Sequence, residues 1–163
     1  GVISDTLILR SPTTTAIDKA TAGALAAISG EFDIQSFGEK LFSVTDGMAT
    51  RVPENAIRSD FKVYSEHGVN IGIGQCEVTT LKDFHTYGDE YLKALEKVRE
   101  KDNLDWAILM ITDVLREHSL LLSTDFKAYN KLPWTKINDK VLDMPGVLSR
   151  KKQLLPEVIH TLD

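Results

Sequence analysis

The chain has 163 residues and a mass of 18.2 kDa, is 42% hydrophobic and 26% charged, and carries a formal net charge of -5 at pH 7. That is one ordinary globular domain with enough chain for a sizeable core, and its acidity argues against a protein that coats nucleic acid through a broad basic face. The longest apolar runs, such as Trp106 to Ile111, fall far below the roughly 18 residues of a membrane span, and no charged-then-apolar leader opens the chain.

A single cysteine, Cys76, allows no internal disulfide and no thiolate cluster, which fits a reducing cytoplasm. The chain starts on an apolar, strand-like stretch from Gly1 to Leu9 with no initiator Met, and reads as a piece cut from a longer protein. Thr15 and Asp18 stand in capping-box positions for a helix to about Ser29, expected to bury Ile17, Ala20, Ala24 and Ile28 and to stop at Gly30. A second helical pattern runs Ile34, Phe37, Leu41 and Val44 and closes near Asp46-Gly47. Pro53 suits the first turn of a short third helix, Glu54 to Arg58.

After Ser59 the period becomes that of strands. Phe61 and Val63 alternate with Lys62 and Tyr64, and past Glu66-His67-Gly68 the run Val69, Ile71, Ile73 alternates with Asn70, Gly72, Gly74, which predicts a β-hairpin. Gly72-Ile73-Gly74 lacks the third glycine and the helix start of a dinucleotide fingerprint, so close strand packing is the preferred reading. Thr79 or Thr80 is expected to cap the longest helix, whose apolar face is Phe84, Tyr87, Tyr91, Leu95 and Val98 and which ends at Lys101-Asp102-Asn103. The continuous run Trp106–Ile111 predicts a strand covered on both faces, with Leu120-Leu121-Leu122 as its neighbour and Val141-Leu142 as a further short strand. Ser149 to Leu162 is expected to be helical in its second half, Pro156 being tolerated in a first turn. The fold class is therefore α/β: one domain with a mixed sheet flanked by helices, preceded by a strand and linker helices.

No Gly-x-Ser-x-Gly elbow, Walker lysine loop or two-Cys zinc pattern occurs. The four histidines show no metal-ligand spacing; His85 and Asp89, four apart on one helix, read as a solvated pair for want of a third ligand. The informative segment is Gly146-Val147-Leu148-Ser149-Arg150-Lys151-Lys152-Gln153. Three consecutive cations stand where a helix begins, against the preference of the macrodipole. An anion there would meet the planar fork of Arg150, the point charges of the lysines and free backbone amides, although a solvated basic patch has the same sequence. Asp5, at the end of the opening strand, is a second candidate, as a metal ligand at the open end of a sheet or as a cap of the adjacent turn.

Together these pieces resemble the C-terminal part of the family II, manganese-dependent inorganic pyrophosphatases of the DHH phosphoesterase superfamily. The matching segments are Ile3-Ser4-Asp5-Thr6-Leu7 with Ser11-Pro12-Thr13, then Asp60-Phe61-Lys62, Gly74-Gln75, Leu109 to Asp113, and Ser149-Arg150-Lys151-Lys152-Gln153 followed by Pro156, in family order over nearly the whole chain. The Ser-Arg-Lys-Lys-Gln run is the most specific. The resemblance implies that residues 1–13 are the residual end of an N-terminal DHH domain and its linker, and that residues 14–163 are the DHH-associated domain that closes over the substrate. It implies that Asp5 is the last metal-ligand aspartate, that Arg150 and Lys151 bind pyrophosphate and that Lys62 is a further phosphate-binding lysine.

It implies Mn2+, or Co2+ or Mg2+, in the full-length enzyme, with pyrophosphate or phosphate and the missing DHH domain as partners. The family's His-x-x-x-Asp-x-Asp and Asp-His-His motifs do not occur here. Catalysis and metal binding by the isolated chain are therefore expected to be absent. Family dimers form mainly through the other domain, so the piece is expected to be monomeric. A prune-type exopolyphosphatase or another DHH phosphoesterase is the nearest alternative, and a noncatalytic interaction module the next.

Overall fold

The apolar stretches after residue 60 form one sheet in a computed structural model that describes residues 1–6, 8–30, 33–43 and 47–163, the side chains of Phe42 and Ser43 excepted. Its strands are β1 (Phe61–Glu66), β2 (Val69–Val78), β3 (Trp106–Asp113), β4 (His118–Ser123), β5 (Thr135–Asn138) and β6 (Val141–Pro145), in the spatial order β1-β2-β3-β4-β6-β5. β2 and β3 run parallel and the other neighbours antiparallel, so the expected mixed α/β sheet is present. A parallel pair needs a crossover, and the 18-residue helix Phe84–Lys101 supplies it. β1 and β2 are joined by His67-Gly68, both left-handed (φ 52 and 76), the turn whose twist matches that of the strands it connects.

Every residue of β3 is buried, as a strand covered on both faces requires. Ala107, Leu109 and Ile111 enter one apolar cluster with Ile57, Tyr91, Leu95 and Val98. Trp106, Ile108 and Met110 enter another with Ile71, Ile73, Leu154 and Val158 on the opposite face. The long helix buries Tyr91, Leu95 and Val98 as its spacing predicts. It starts later than expected: Asp83 is its N-cap, and Thr80 Oγ1 instead accepts from the Lys82 amide to close the turn ahead of it. The short helix Pro53–Ser59 has Pro53 in its first turn, and Arg58 ties it to the end of the long helix through a bidentate pair with Asp102 (2.5 and 2.8 Å). Β5 escaped the sequence reading because its four residues are all exposed and carry no apolar alternation.

The chain divides into two compact units, Gly1–Thr45 and Asp46–Asp163, the second holding the sheet. This division falls elsewhere than the 13/14 boundary drawn from motifs, because three helices form a unit of their own: Val2–Asp5, Ala16–Ser29 and Ile34–Ser43. Among the described residues of Gly1–Leu9 the expected strand is not formed. An isolated strand would leave its backbone groups unpaired, whereas here they close locally, Asp5 N to Gly1 O (3.0 Å) and Thr6 N to Val2 O (3.1 Å). Ile8 and Leu9 then turn the chain with left-handed angles.

The capping box at Ala16–Ser29 forms as expected, Thr15 Oγ1 accepting from Asp18 N and Asp18 Oδ2 from Thr15 N, and Gly30 ends the helix in the left-handed conformation. Its buried face is not the expected one. Ile17 and Ile28 are 77% and 83% exposed, Ala20 and Ala24 are exposed, and Ala22 is the buried residue. Small side chains at Ala22 and Ala26 are turned instead toward Ile3, Ile34 and Phe37, with which they line one cleft. Val44 and Asp46 of the second helical pattern, and Leu7, lie outside the described residues.

Candidate anion-binding site

The chain leaves β6 through Gly146, whose left-handed φ of 73 turns it back across the end of the sheet. The loop is fastened at each step. Gly146 N donates to Glu117 O (2.9 Å), Ser119 Oγ to Val147 O (2.6 Å) and Gln75 Nε2 to Leu148 O (3.1 Å). Arg150–Leu154 then forms a single π-helical turn, followed by an α-helix over Leu155–His160 with Pro156 in its first turn. Gln153 folds back as a clasp: its Oε1 accepts from Leu148 N (2.9 Å) and Ser149 N (3.0 Å), and its Nε2 donates to Gly146 O (2.9 Å).

Most of the backbone amides expected to help hold an anion are therefore already engaged. Besides those of Leu148 and Ser149, Arg150 N donates to Gln75 Oε1 (3.3 Å) and Lys152 N to Ser149 Oγ (3.2 Å). Anion binding at this turn falls mainly to side chains.

Arg150 lies across β1 and β2. Its Nη2 meets Asp60 Oδ1 at 2.8 Å, and its Nη1 donates to the carbonyls of Asp60 (2.6 Å) and Ile73 (3.3 Å). Nε is buried and has no acceptor among the described residues. Lys62 stands opposite Ile73 in the β1–β2 ladder, so both side chains project from one face, and Ile73 shares its apolar cluster with Leu154 of the π turn. Lys62 is thus on the sheet face that carries the turn. Lys62 and Lys151 are exposed, and among the described residues neither makes an ion pair. Segments 90 residues apart are thereby joined at one edge of the sheet.

Residues 39–160 match the family model of the DHHA2 domain. The chain belongs to the DHHA2 domain family. It is 34% identical over 157 residues to a protein of Methanocaldococcus jannaschii named manganese-dependent inorganic pyrophosphatase, covering 96% of this chain and 51% of that protein. A protein of the same name from Methanothrix thermoacetophila is 36% identical over 160 residues, with 96% and 51% covered. A crystal structure of a Methanococcus jannaschii protein assigned to the family II inorganic pyrophosphatases superposes with a TM-score of 0.85 at 32% identity, over 99% of this chain and 52% of that one. The chain spans about half the length of the relatives it matches. The resemblance to the DHH-associated half of the family II pyrophosphatases is borne out.

Arg150, Lys151 and Lys62 all fall inside the matched DHHA2 domain, whereas Asp5 precedes it. Asp5 ends a single helical turn, exposed, rather than a strand. Among the described residues no group of three His, Cys, Asp or Glu could hold a metal ion. One exposed carboxylate does not fit a divalent-metal centre, which needs several donors. His85 Nδ1 donates to Lys82 O (2.8 Å) and, with Asp89, the ring lines a cleft of about 510 Å³ that contains none of the three cations.

Three further residues of the matching segments hold the DHHA2 domain together. Gln75 bridges β2 to the loop and receives the Arg150 amide, Gln153 clasps the loop, and buried Asp113 accepts from Leu115 N and Arg116 N to close the β3–β4 turn. Asp60 was visible in its Asp-x-Lys setting, but nothing local signalled that its partner is Arg150. No described helix is long and apolar enough to cross a membrane.

Proposed function

We propose that this DHHA2 domain binds pyrophosphate within a longer inorganic pyrophosphatase that converts pyrophosphate and water to two phosphates. The observation that carries the reading is the convergence of the Ser149–Gln153 turn with the Asp60–Lys62 segment through Arg150, in a chain whose relatives bear that activity in their names. Exposed Lys62 and Lys151 supply mobile positive charge, and Arg150 a planar fork for two phosphate oxygens. Gln75 and Gln153 hold the turn so that these cations meet the substrate from one side. Charge neutralisation of this kind lowers the barrier to attack on phosphorus by stabilising the oxygens that gather charge.

Manganese, with Co2+ or Mg2+ as substitutes, belongs in this reading to the N-terminal DHH half of the longer protein, to which Asp5 contributes one carboxylate. The test is to supply full-length protein and Mn2+ with pyrophosphate and with long polyphosphate side by side. Rapid orthophosphate release from pyrophosphate is expected, and no release from pyrophosphate would overturn the reading.

A further inference from the structure

Arg150 is held in an unfinished way. Its side chain is only 11% exposed, its Nη2 meets one oxygen of Asp60, and the adjacent Nε is sealed from solvent with no acceptor. The Nε/Nη2 edge of a guanidinium accommodates two oxygens of one carboxylate or phosphate, and here Nη2 faces a single Asp60 oxygen while Nε has no acceptor among the described residues. A phosphate group on that edge would satisfy both donors and gain a hydrogen bond over the arrangement with Asp60. It reaches the edge only when the Asp60 carboxylate moves aside. The Asp60 side chain is 50% exposed, so water is at hand to solvate it on release. Its backbone carbonyl, which accepts from Gln75 N and Arg150 Nη1, need not move with it.

Resting on the reading of the site given above, we propose that Asp60 tunes its anion affinity by competing with phosphate for the Arg150 guanidinium. An incoming anion must displace a carboxylate of unit charge, and Coulomb attraction to Arg150, Lys62 and Lys151 grows with the anion's own charge. Pyrophosphate, with more charge than orthophosphate near neutral pH, wins this competition more readily. The product, once split into two less charged pieces, is more readily replaced by Asp60. Asp60 thus weakens the hold on both anions by the same factor and eases release of the less charged product without touching the reacting atoms.

The experiment measures the KM for pyrophosphate and the inhibition constant of orthophosphate for the full-length protein with Asp60→Asn, Asp60→Ser, Asp60→Glu, Arg150→Ala and the Asp60→Asn/Arg150→Ala pair. A half-exposed competing ion pair is worth on the order of 1 kcal/mol, about fivefold. Asp60→Asn and Asp60→Ser are expected to tighten orthophosphate inhibition and to lower the pyrophosphate KM, each about fivefold, while Asp60→Glu keeps both wild-type constants. With Arg150→Ala already present, Asp60→Asn should move neither constant.

Unchanged or weakened orthophosphate inhibition in both neutral variants, beside an impaired Arg150→Ala, refutes the role of Asp60 and leaves the site reading intact. An Asp60→Asn effect that persists in the Arg150→Ala background also refutes it, because Asp60 would then act by general repulsion. Wild-type KM and kcat in Arg150→Ala itself refute the site reading, and the proposal with it.

Discussion

Gln153→Ala removes the clasp that closes the Gly146–Ser149 loop and should show how firmly the cation-bearing turn is built. Three hydrogen bonds go: Leu148 N and Ser149 N to Oε1, and Nε2 to Gly146 O. Leu148 is buried and Ser149 half-buried, so at least one amide loses its acceptor without ready access to water. At about 1 kcal/mol net per hydrogen bond, and with water restoring part of it at Ser149 and Gly146, the loss comes to roughly 2 kcal/mol. Urea denaturation followed by tryptophan fluorescence reads it, since Trp106 and Trp134 both lie in the unit that holds the site. With m in the usual range of about 1–3 kcal/mol per molar, the midpoint should fall by about 1 M at unchanged slope. Gln153→Glu keeps an acceptor for both amides and loses only the donor to Gly146 O, so it should lose about half as much. An alanine variant within about 0.5 kcal/mol of wild type would refute the clasp.

Gly72→Ala would set a Cβ 2.2 Å from Phe61 Cζ and 2.6 Å from Leu104 Cδ1. Overpacking of this kind should cost about 1–3 kcal/mol in the same denaturation, and a neutral result would contradict the close approach. Arg58 holds the Asp102 carboxyl below its usual range through their hydrogen bonds. Because the folded value is the lower one, the stabilisation is full above the unfolded value of about 3.9 and is lost as pH falls through the folded one. Asp102→Asn should therefore flatten the acid limb of stability against pH and cost about 1 kcal/mol at pH 7; an unchanged acid limb would count against the pairing. Burial pushes the Cys76 thiol up even though Arg51 Nη1 lies 3.3 Å from its sulfur. A thiol reagent at pH 8 should react with Cys76 only as the protein unfolds, and immediate stoichiometric labelling would contradict this.

The sheet was legible because its strands carry unambiguous patterns. Trp106–Ile111 is continuously apolar, and the hairpin alternates around a His-Gly turn that only a left-handed pair satisfies. The long helix was legible because Glu and Lys mark its wet side. Ala16–Ser29 has no such mark: Ile17, Ala20, Ala22, Ala24, Leu25, Ala26, Ala27 and Ile28 surround it, so periodicity alone could not choose the buried face. At the site, the run of cations was plain from local composition. That Arg150 is engaged by Asp60 and Ile73, and that the amides are capped by Gln75 and Gln153, depends on contacts spanning up to 90 residues which no local pattern encodes.

Steady-state pyrophosphate hydrolysis by the full-length protein with Arg150→Ala and Lys151→Ala tests the central claim most directly. Each lost charge-assisted contact to a phosphate is worth roughly 1.5–3 kcal/mol, so kcat/KM should fall about 10- to 100-fold for each variant, with KM raised. KM and kcat both at wild-type values in the two variants would show that these cations do not meet the substrate.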